Sequence, residues 1–367
     1  MKTFTILHTE TLKKWGGQQN RVLTESAGLS KRGHKIIIAC HRDSILAHKA
    51  KEAGIKVYEV NMVKQAYLQT ISKLIRVIKK EKVDIVCTHS SVDSWAGGLA
   101  AKLTGRKLVR FRHNLYQLGK DPLTKFIYHI PGAIVCISDE IKKVLLKCGI
   151  EDKKMVVIHS SVDIDKFDPQ VIKELSKKEL NISDDAHIIG NTSSFTGVKG
   201  QEYLLEAFNI ICKKRPCYLI FAGRLSQHYK AKYLEFVEKE FRNNVIFLGH
   251  RDDIPEILKT FDIFVFPSFV EGLGTSLIEA MAVEKPVVVS DIPTFRNFVV
   301  DGVNGLFFKA KNPEDMAEKV LFLMENENLK GRLGKNARAT VLEKFSRNKM
   351  LNLTEALYKE VIKEGRV

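Results

Sequence analysis

The sequence predicts an α/β protein built from two doubly wound parallel-sheet domains. Three observations point there. Short runs rich in β-branched residues alternate with helical stretches along the whole chain. The runs are continuously apolar rather than alternating, as at 36–40 and 134–137, the pattern of parallel strands covered on both faces. The 367 residues suffice for two domains at roughly 100–200 residues each.

In chain order, the first half offers apolar or β-branched strands at 4–8, 35–40, 57–60, 85–88, 108–111, 133–137 and 155–158. Helical periodicity lies between them, for example at 18–31, 66–81 and 139–146. The pattern breaks at 159–180, where Asp163, Asp165, Asp168 and Pro169 interrupt it. Strands resume at 188–191, 218–222, 245–248, 263–267, 287–290 and 305–308, with helices that include 201–213, 230–241, 254–260, 276–283 and 313–325. A last helix follows Phe345-Ser346, at about 348–363. The expected domains are 1–165 and 166–346, with 347–367 packing back onto the first. In such folds ligands bind in a cleft at the C-terminal ends of the strands.

Composition narrows the function. No apolar run approaches the ~18 residues that span a bilayer, and the N-terminal patch is too short for a signal peptide. The six cysteines (40, 87, 136, 148, 212, 217) form no C-x-x-C pair and read as buried thiols of a reducing cytosol, not a zinc or disulfide framework. The net charge of +16 is one-sided: residues 1–150 carry 27 Lys and Arg against 11 Asp and Glu, while residues 151–367 carry 32 of each. That asymmetry suits an anionic partner meeting the first domain only: nucleic acid, an acidic membrane surface or a phosphorylated glycan. Zinc-finger spacing and aromatic RNP-like strands are missing, which sets nucleic acid aside.

The segment 264–281 carries the most chemistry. A buried strand ends at Pro267, a loop with Glu271, Gly272 and Gly274 follows, and a helix begins near Ser276 with Glu279 one turn in. Free helix N–H groups and a flexible loop make an anion site suited to phosphate. Carboxylates beside phosphate make sense where they accept hydrogen bonds from sugar or ribose hydroxyls. The plain alternative is a capping box, Ser276-x-x-Glu279, with Glu271 as a solvated loop charge.

This segment resembles the signature of the retaining glycosyltransferases of family 4, which have the two-domain GT-B fold. Further motifs follow in the family's order: Trp15-Gly16-Gly17-Gln18-Gln19, Gly28-Leu29-Ser30-Lys31-Arg32-Gly33-His34, Ile137-Ser138, Ser161-Val162-Asp163 through Phe167, Val198-Lys199-Gly200-Gln201 and Asp301-Gly302-x-x-Gly305-Leu306. The resemblance covers nearly the whole chain and is similar to bacterial enzymes of lipopolysaccharide and other envelope glycans. It implies that Glu271 bonds the donor hexose and Glu279 the ribose. Thr275 and Ser276, after Gly274, would contact the diphosphate, Lys199 would neutralise it, and Gly16 and Gly17 would form a donor-side glycine loop. A solvated loop lysine is the plain alternative for Lys199. The family's usual arginine after the first strand of the second domain is absent, because Gly190 is followed by Asn191-Thr192-Ser193. Arg224 either supplies the second cation or is a surface arginine.

In the first domain, His113 ends a strand and resembles the family histidine that faces the donor sugar, with Arg110 and Arg112 nearby; a satisfied strand-end histidine is the alternative. His89 is expected to shape the acceptor site. Asp163-Ile164-Asp165 matches the metal-binding D-x-D of other transferases, but the family needs no metal and a turn role is expected. His250 through Asp253 reads as a helix start with an Asp cap. The stretch 62–82, with Lys64, Lys73, Arg76, Lys79, Lys80 and Lys82 among apolar residues, reads either as a surface that lies on an anionic membrane or as an ordinary amphipathic helix.

The expectation is a cytoplasmic, peripherally membrane-bound, metal-independent retaining hexosyltransferase. It needs no cofactor, since its nucleotide-diphosphate sugar is a substrate, and its acceptor is an anionic or lipid-linked glycan. The rivals are a nucleotide-sugar epimerase or a non-catalytic nucleotide-sugar-binding subunit on the same fold.

Overall fold

The computed structural model describes residues 3–119, 121–183 and 185–363. The chain divides into two compact units, Met1–Ser161 with Arg347–Val367, and Val162–Ser346. Residues 364–367 of the expected C-terminal segment lie outside the described residues.

Unit 1 comprises β1 (Thr5–Glu10), α1 (Gly17–Lys31), β2 (Lys35–Cys40), α2 (Ile45–Glu52), β3 (Lys56–Glu59), α3 (Tyr67–Glu81), β4 (Ile85–Thr88), α4 (Ser91–Leu103), β5 (Lys107–Arg112), α5 (Pro122–His129), β6 (Ala133–Cys136), α6 (Asp139–Lys147) and β7 (Met155–Val157). Unit 2 comprises β8 (His187–Asn191), α7 (Gln201–Cys212), β9 (Cys217–Ala222), α8 (Gln227–Leu234), β10 (Val245–Gly249), α9 (Ile254–Thr260), β11 (Ile263–Phe266), α10 (Thr275–Ala282), β12 (Val287–Ser290), α11 (Pro293–Arg296), β13 (Leu306–Phe308), α12 (Pro313–Glu325) and α13 (Glu327–Lys344). Helix α14 (Arg347–Lys363) belongs to unit 1.

Both sheets are parallel, in the orders β3-β2-β1-β4-β5-β6-β7 and β10-β9-β8-β11-β12-β13. The strand order reverses between β1 and β4 in unit 1 and between β8 and β11 in unit 2, so each unit has a switch point where ligands of this fold class bind. Continuous burial along β2, β4, β6 and β11 explains their unbroken apolar runs. Separate apolar clusters cover the sheet's two sides in unit 1: Phe4, Ile6, Ile38 and Val109 with α1 and α14 on one, Leu7, Ile37, Val86 and Leu108 with α3 and α4 on the other.

Helix α14 sits so close to α1 that a Cβ on Gly28 would lie 2.5 Å from Leu351 Cδ1. Below that contact the Tyr358 hydroxyl donates to Glu25 Oε1 (2.9 Å), Glu25 pairs with Arg21 (3.2 Å), and Arg21 donates to the Ile158 carbonyl (2.7 Å), all buried. A buried ion pair is tolerable only with its remaining polar atoms bonded, and Tyr358 supplies such a bond.

One helix expectation shifts. Helix α8 starts earlier and ends at Leu234, because Val237 turns into the core (2% exposed) and the chain continues as a 3₁₀ turn at Lys239–Asn244. Helices α2, α4, α5 and α13 were not among the sequence-based helices. In α4 the buried face is made of small residues, Ala96, Gly97, Ala100 and Ala101, and a Cβ on Gly97 would meet Thr88 Cγ2 at 2.9 Å.

Candidate functional site

In unit 2 the switch point gathers two loops. Lys199 follows β8 and Glu271 follows β11, and the Lys199 ammonium donates to Glu271 Oε1 in a largely buried ion pair. The loops are fastened by the Phe269 N–H donating to the Val198 carbonyl (3.1 Å), and Thr294 Oγ1 holds the Glu271 carbonyl (2.7 Å). Gly200 is in the left-handed region (φ +68°), where a Cβ would strike the Pro267 carbonyl oxygen at 2.4 Å. Glycine is therefore required for the lysine loop to approach.

Gly274, also left-handed (φ +85°), is the N-cap of α10, and no side chain caps that helix. Thr275 and Ser276 are its first two residues, half-buried at its free N–H groups. Ser276 therefore lies inside the helix, one turn before Glu279, and the capping-box alternative does not form. Glu279 keeps a little surface open, yet burial raises its carboxyl to about 7, with Lys166 as the opposing charge. A buried carboxyl one turn into an uncapped helix makes Glu279 a candidate ligand-binding residue.

The position without the arginine and the residue considered for the second cation lie on different strand ends. Asn191 is fully buried: its amide donates to the Val265 carbonyl (2.8 Å) and its oxygen accepts from Ser193 Oγ (2.7 Å), which in turn accepts from Gln201 (3.0 Å). This network holds the turn after β8 by neutral hydrogen bonds. Arg224 is exposed just past β9, lining a 1010 Å³ cavity with Phe195, Glu202, Tyr229, Tyr233 and His250. It is 25 residues in sequence from Lys199, and among the described residues no hydrogen bond joins their loops through its side chain.

In unit 1 the switch point puts three histidines in a row. His8 lies on β1, His89 just after β4 and His113 just after β5. His8 Nδ1 lies 3.0 Å from His89 Nε2, and His89 Nδ1 lies 3.1 Å from His113 Nε2. Phe111 stacks on His89 with ring centroids 4.7 Å apart. Burial holds all three imidazoles below their ordinary range, His113 at about 3, with the Arg21 charge adding to the effect on each. His113 stands at the end of this row, while His89 departs from the expectation: at 4% exposure, with both ring nitrogens engaged, it touches histidines rather than an open surface.

Strand alternation puts Arg110 and Arg112 on the other side of β5 from His113. Arg110 is 5% exposed, its guanidinium 3.7 Å from the Tyr128 ring centre. Arg112 donates to Tyr128 Oη (3.0 Å) and to the Tyr116 carbonyl. Gly16 and Gly17 are exposed at the start of α1, as its N-cap and first residue, with no side-chain cap.

The sequence reading missed His8 and Glu10. Glu10 ends β1 fully buried, accepting from Thr11 N, Leu12 N and Gln18 Nε2. Burial, then the charge of Asp93, raises it to about 7. The available signal was a charged residue closing an apolar strand.

The decoys resolve locally. Asp163 opens a turn, its carbonyl accepting from Phe167 N (2.9 Å) and its carboxylate from Lys166 N (3.4 Å). Asp253 is the N-cap of α9, but its carboxylate binds Arg251 instead of the helix N–H groups. In α3 the apolar residues Leu74, Val77 and Ile78 are buried in the core, while Lys73, Arg76, Lys79, Lys80 and Lys82 are exposed; the side chain of Lys64 lies outside the described residues. The helix therefore presents charge outward and buries Leu74, Val77 and Ile78, leaving Leu68 exposed near its start. No described helix is long and apolar enough to cross a membrane.

Comparison with known proteins supplies the family. A family model described as Glycosyltransferase Family 4 matches residues 15–166, and one described as Glycosyl transferases group 1 matches residues 172–340. The N,N'-diacetylbacillosaminyl-diphospho-undecaprenol alpha-1,3-N-acetylgalactosaminyltransferase of Campylobacter jejuni is 28% identical, over 91% of this chain and 93% of that one. The UDP-Gal:alpha-D-GlcNAc-diphosphoundecaprenol alpha-1,3-galactosyltransferase of Escherichia coli is 26% identical, over 97% of each. A crystal structure of a glycosyltransferase from Rickettsia africae superposes with a TM-score of 0.91 at 26% identity, covering 99% of this chain and 100% of that one. With one model on each unit and this likeness along the whole length, the chain belongs to the family 4 and group 1 glycosyltransferases of GT-B fold.

Proposed function

We propose that this glycosyltransferase moves a hexose-type sugar from a nucleotide-diphosphate sugar to a hydroxyl of a lipid-linked acceptor, with retention at the anomeric carbon. The observation that carries the reading is the Lys199–Glu271 pair beside the uncapped N-terminus of α10, with Glu279 poised near half-ionisation one turn on. A cation and free N–H groups suit a diphosphate leaving group, whose charge grows in the transition state. The carboxylates suit hydroxyls, Glu271 the sugar and Glu279 the ribose. Lys199 then serves two partners: it orients Glu271 and takes up leaving-group charge. His113 offers a neutral imidazole to a sugar hydroxyl at the switch point of unit 1. Acceptor attack comes from the face the nucleotide leaves, a donor phosphate oxygen drawing off the acceptor proton, and the protein supplies positioning. The two relatives with diphospho-undecaprenol in their names support a lipid-linked acceptor. The exposed basic face of α3 would hold the enzyme to an anionic cytoplasmic leaflet by charge alone.

The test is a thermal-shift screen of nucleotide sugars, since a bound donor stabilises by mass action, followed by transfer to undecaprenyl-diphosphate-linked sugars and NMR of the product anomer. Retained configuration with activity surviving EDTA is expected. Inversion, recovery only on adding Mg²⁺ or Mn²⁺, or epimerised donor without transfer overturns the reading.

A further inference from the structure

The three histidines of unit 1 obey a counting rule. A ring-nitrogen pair at 3.0 or 3.1 Å needs one proton between its two lone pairs. Two links therefore hold two protons. Three neutral imidazoles carry three, so the third sits at one end of the row, on His113 Nδ1 or on His8 Nε2. If it sits on His113 Nδ1, then His113 Nε2 must accept, His89 must donate from Nδ1 and accept at Nε2, and His8 must donate from Nδ1. All three rings are then Nδ1–H. If it sits on His8 Nε2, all three are Nε2–H. A mixed set breaks a link.

We propose that His8, His89 and His113 form a single tautomeric unit, in which His8 and His89 are positioning residues that decide whether His113 presents a proton or a lone pair to the sugar substrate. Both end atoms, His113 Nδ1 and His8 Nε2, are buried without a protein partner among the described residues. Whatever oxygen meets His113 Nδ1 fixes the tautomer of the whole row. When the row switches, the proton that leaves His113 Nδ1 is matched by one that appears on His8 Nε2, and no net charge is created.

The surroundings keep the rings neutral. Arg21 from α1 acts on all three, and Arg112 on His113. Glu25 is the carboxylate that acts on His8, and its oxygens are already taken by Arg21 and Tyr358. Asp93 accepts from the His89 backbone N–H rather than from a ring nitrogen. Phe111 closes the flank between β4 and β5.

The proposal rests on the reading of His113 as the residue that meets the sugar, but its first test needs no substrate. In the full chain labelled with ¹⁵N-histidine, the ring nitrogens of His8, His89 and His113 are followed by NMR from pH 5.5 to 8. Three non-titrating rings in one shared tautomer are expected. Titration of any of the three in that range, or different tautomers among them, overturns the proposal. His89→Leu should uncouple the end rings, so that His8 and His113 no longer report the same tautomer. It should lower kcat by about tenfold, the worth of one aligned hydrogen bond, at unchanged KM for the nucleotide sugar found by the thermal-shift screen. His89→Gln, whose amide accepts on one side and donates on the other, should restore most of kcat. Equal losses in both variants, or a coupled pair of end rings in His89→Leu, overturn it. A shared tautomer with no sugar transfer would sink the transferase reading and leave the row intact.

Discussion

Glu279 makes the most demanding quantitative test. Its carboxyl is raised from 4.5 to about 7, with burial as the first cause. A carboxyl raised by folding favours the protonated form in the native state, so its contribution to stability is full below pH 4.5 and is lost as the pH climbs through 7. The gap between 4.5 and 7 corresponds to about 3 kcal/mol at pH 8 and to less than about 1 kcal/mol at pH 5. Glu279→Gln is uncharged throughout. Urea unfolding should therefore find the variant more stable than the wild type at pH 8 by up to about 3 kcal/mol, with the two curves converging near pH 5. The stability should come at the expense of ligand affinity. If the ionised carboxylate accepts the ribose hydroxyls, the ionised fraction rises about tenfold between pH 6 and pH 8, and affinity for the nucleoside diphosphate of the donor found by the screen gains that factor beyond the titration of the nucleotide itself. Calorimetry of the variant should show only the slope due to the nucleotide. Parallel stability curves, or an identical pH dependence of nucleotide binding in both proteins, would refute the reasoning.

Glu271→Gln should release Lys199 from its ion pair, so affinity for the nucleoside diphosphate should hold or rise in calorimetry while turnover falls about a hundredfold, in the range of losing one preorganised polar contact; a loss of nucleotide affinity equal to that of Glu279→Gln at pH 8 would show that the two carboxylates do not divide sugar from ribose. Tyr358→Phe removes the hydroxyl that satisfies buried Glu25, and should cost about 1–2 kcal/mol in urea unfolding with nucleotide binding untouched. Replacing Lys73, Arg76, Lys79 and Lys80 with Gln should weaken co-sedimentation with anionic vesicles by about 1 kcal/mol per residue and make it less salt-sensitive. Binding that ignores these changes would remove α3 from the membrane face.

The architecture and the loops of the candidate site were legible in the chain before any fold was seen. Unbroken apolar runs such as 36–40 and 263–266 can only be buried on both faces, and their alternation with helical periods leaves little besides parallel doubly wound sheets. Glycines at 200 and 274 declared loops where backbone must come close, and the carboxylates at 271 and 279 stood beside them. Those signals are local, each contained in ten or so neighbouring residues.

What only the tertiary structure decided is pairing and protonation. Lys199 and Glu271 are 72 positions apart and become an ion pair because the strand order reverses between β8 and β11. His8, His89 and His113 come from three strands, and nothing within any one of those strands marks a row of linked rings. The same is true of α3, whose basic and apolar residues were legible while the choice between core and membrane for its apolar face was not. Position in a row fixes which residues are neighbours along a strand. Which strands become neighbours, and therefore how far water is kept from a carboxyl or an imidazole, is set by the packing of the whole sheet. Desolvation depends on every atom around a group, so charge state at the site is a property of the fold rather than of any segment of the chain.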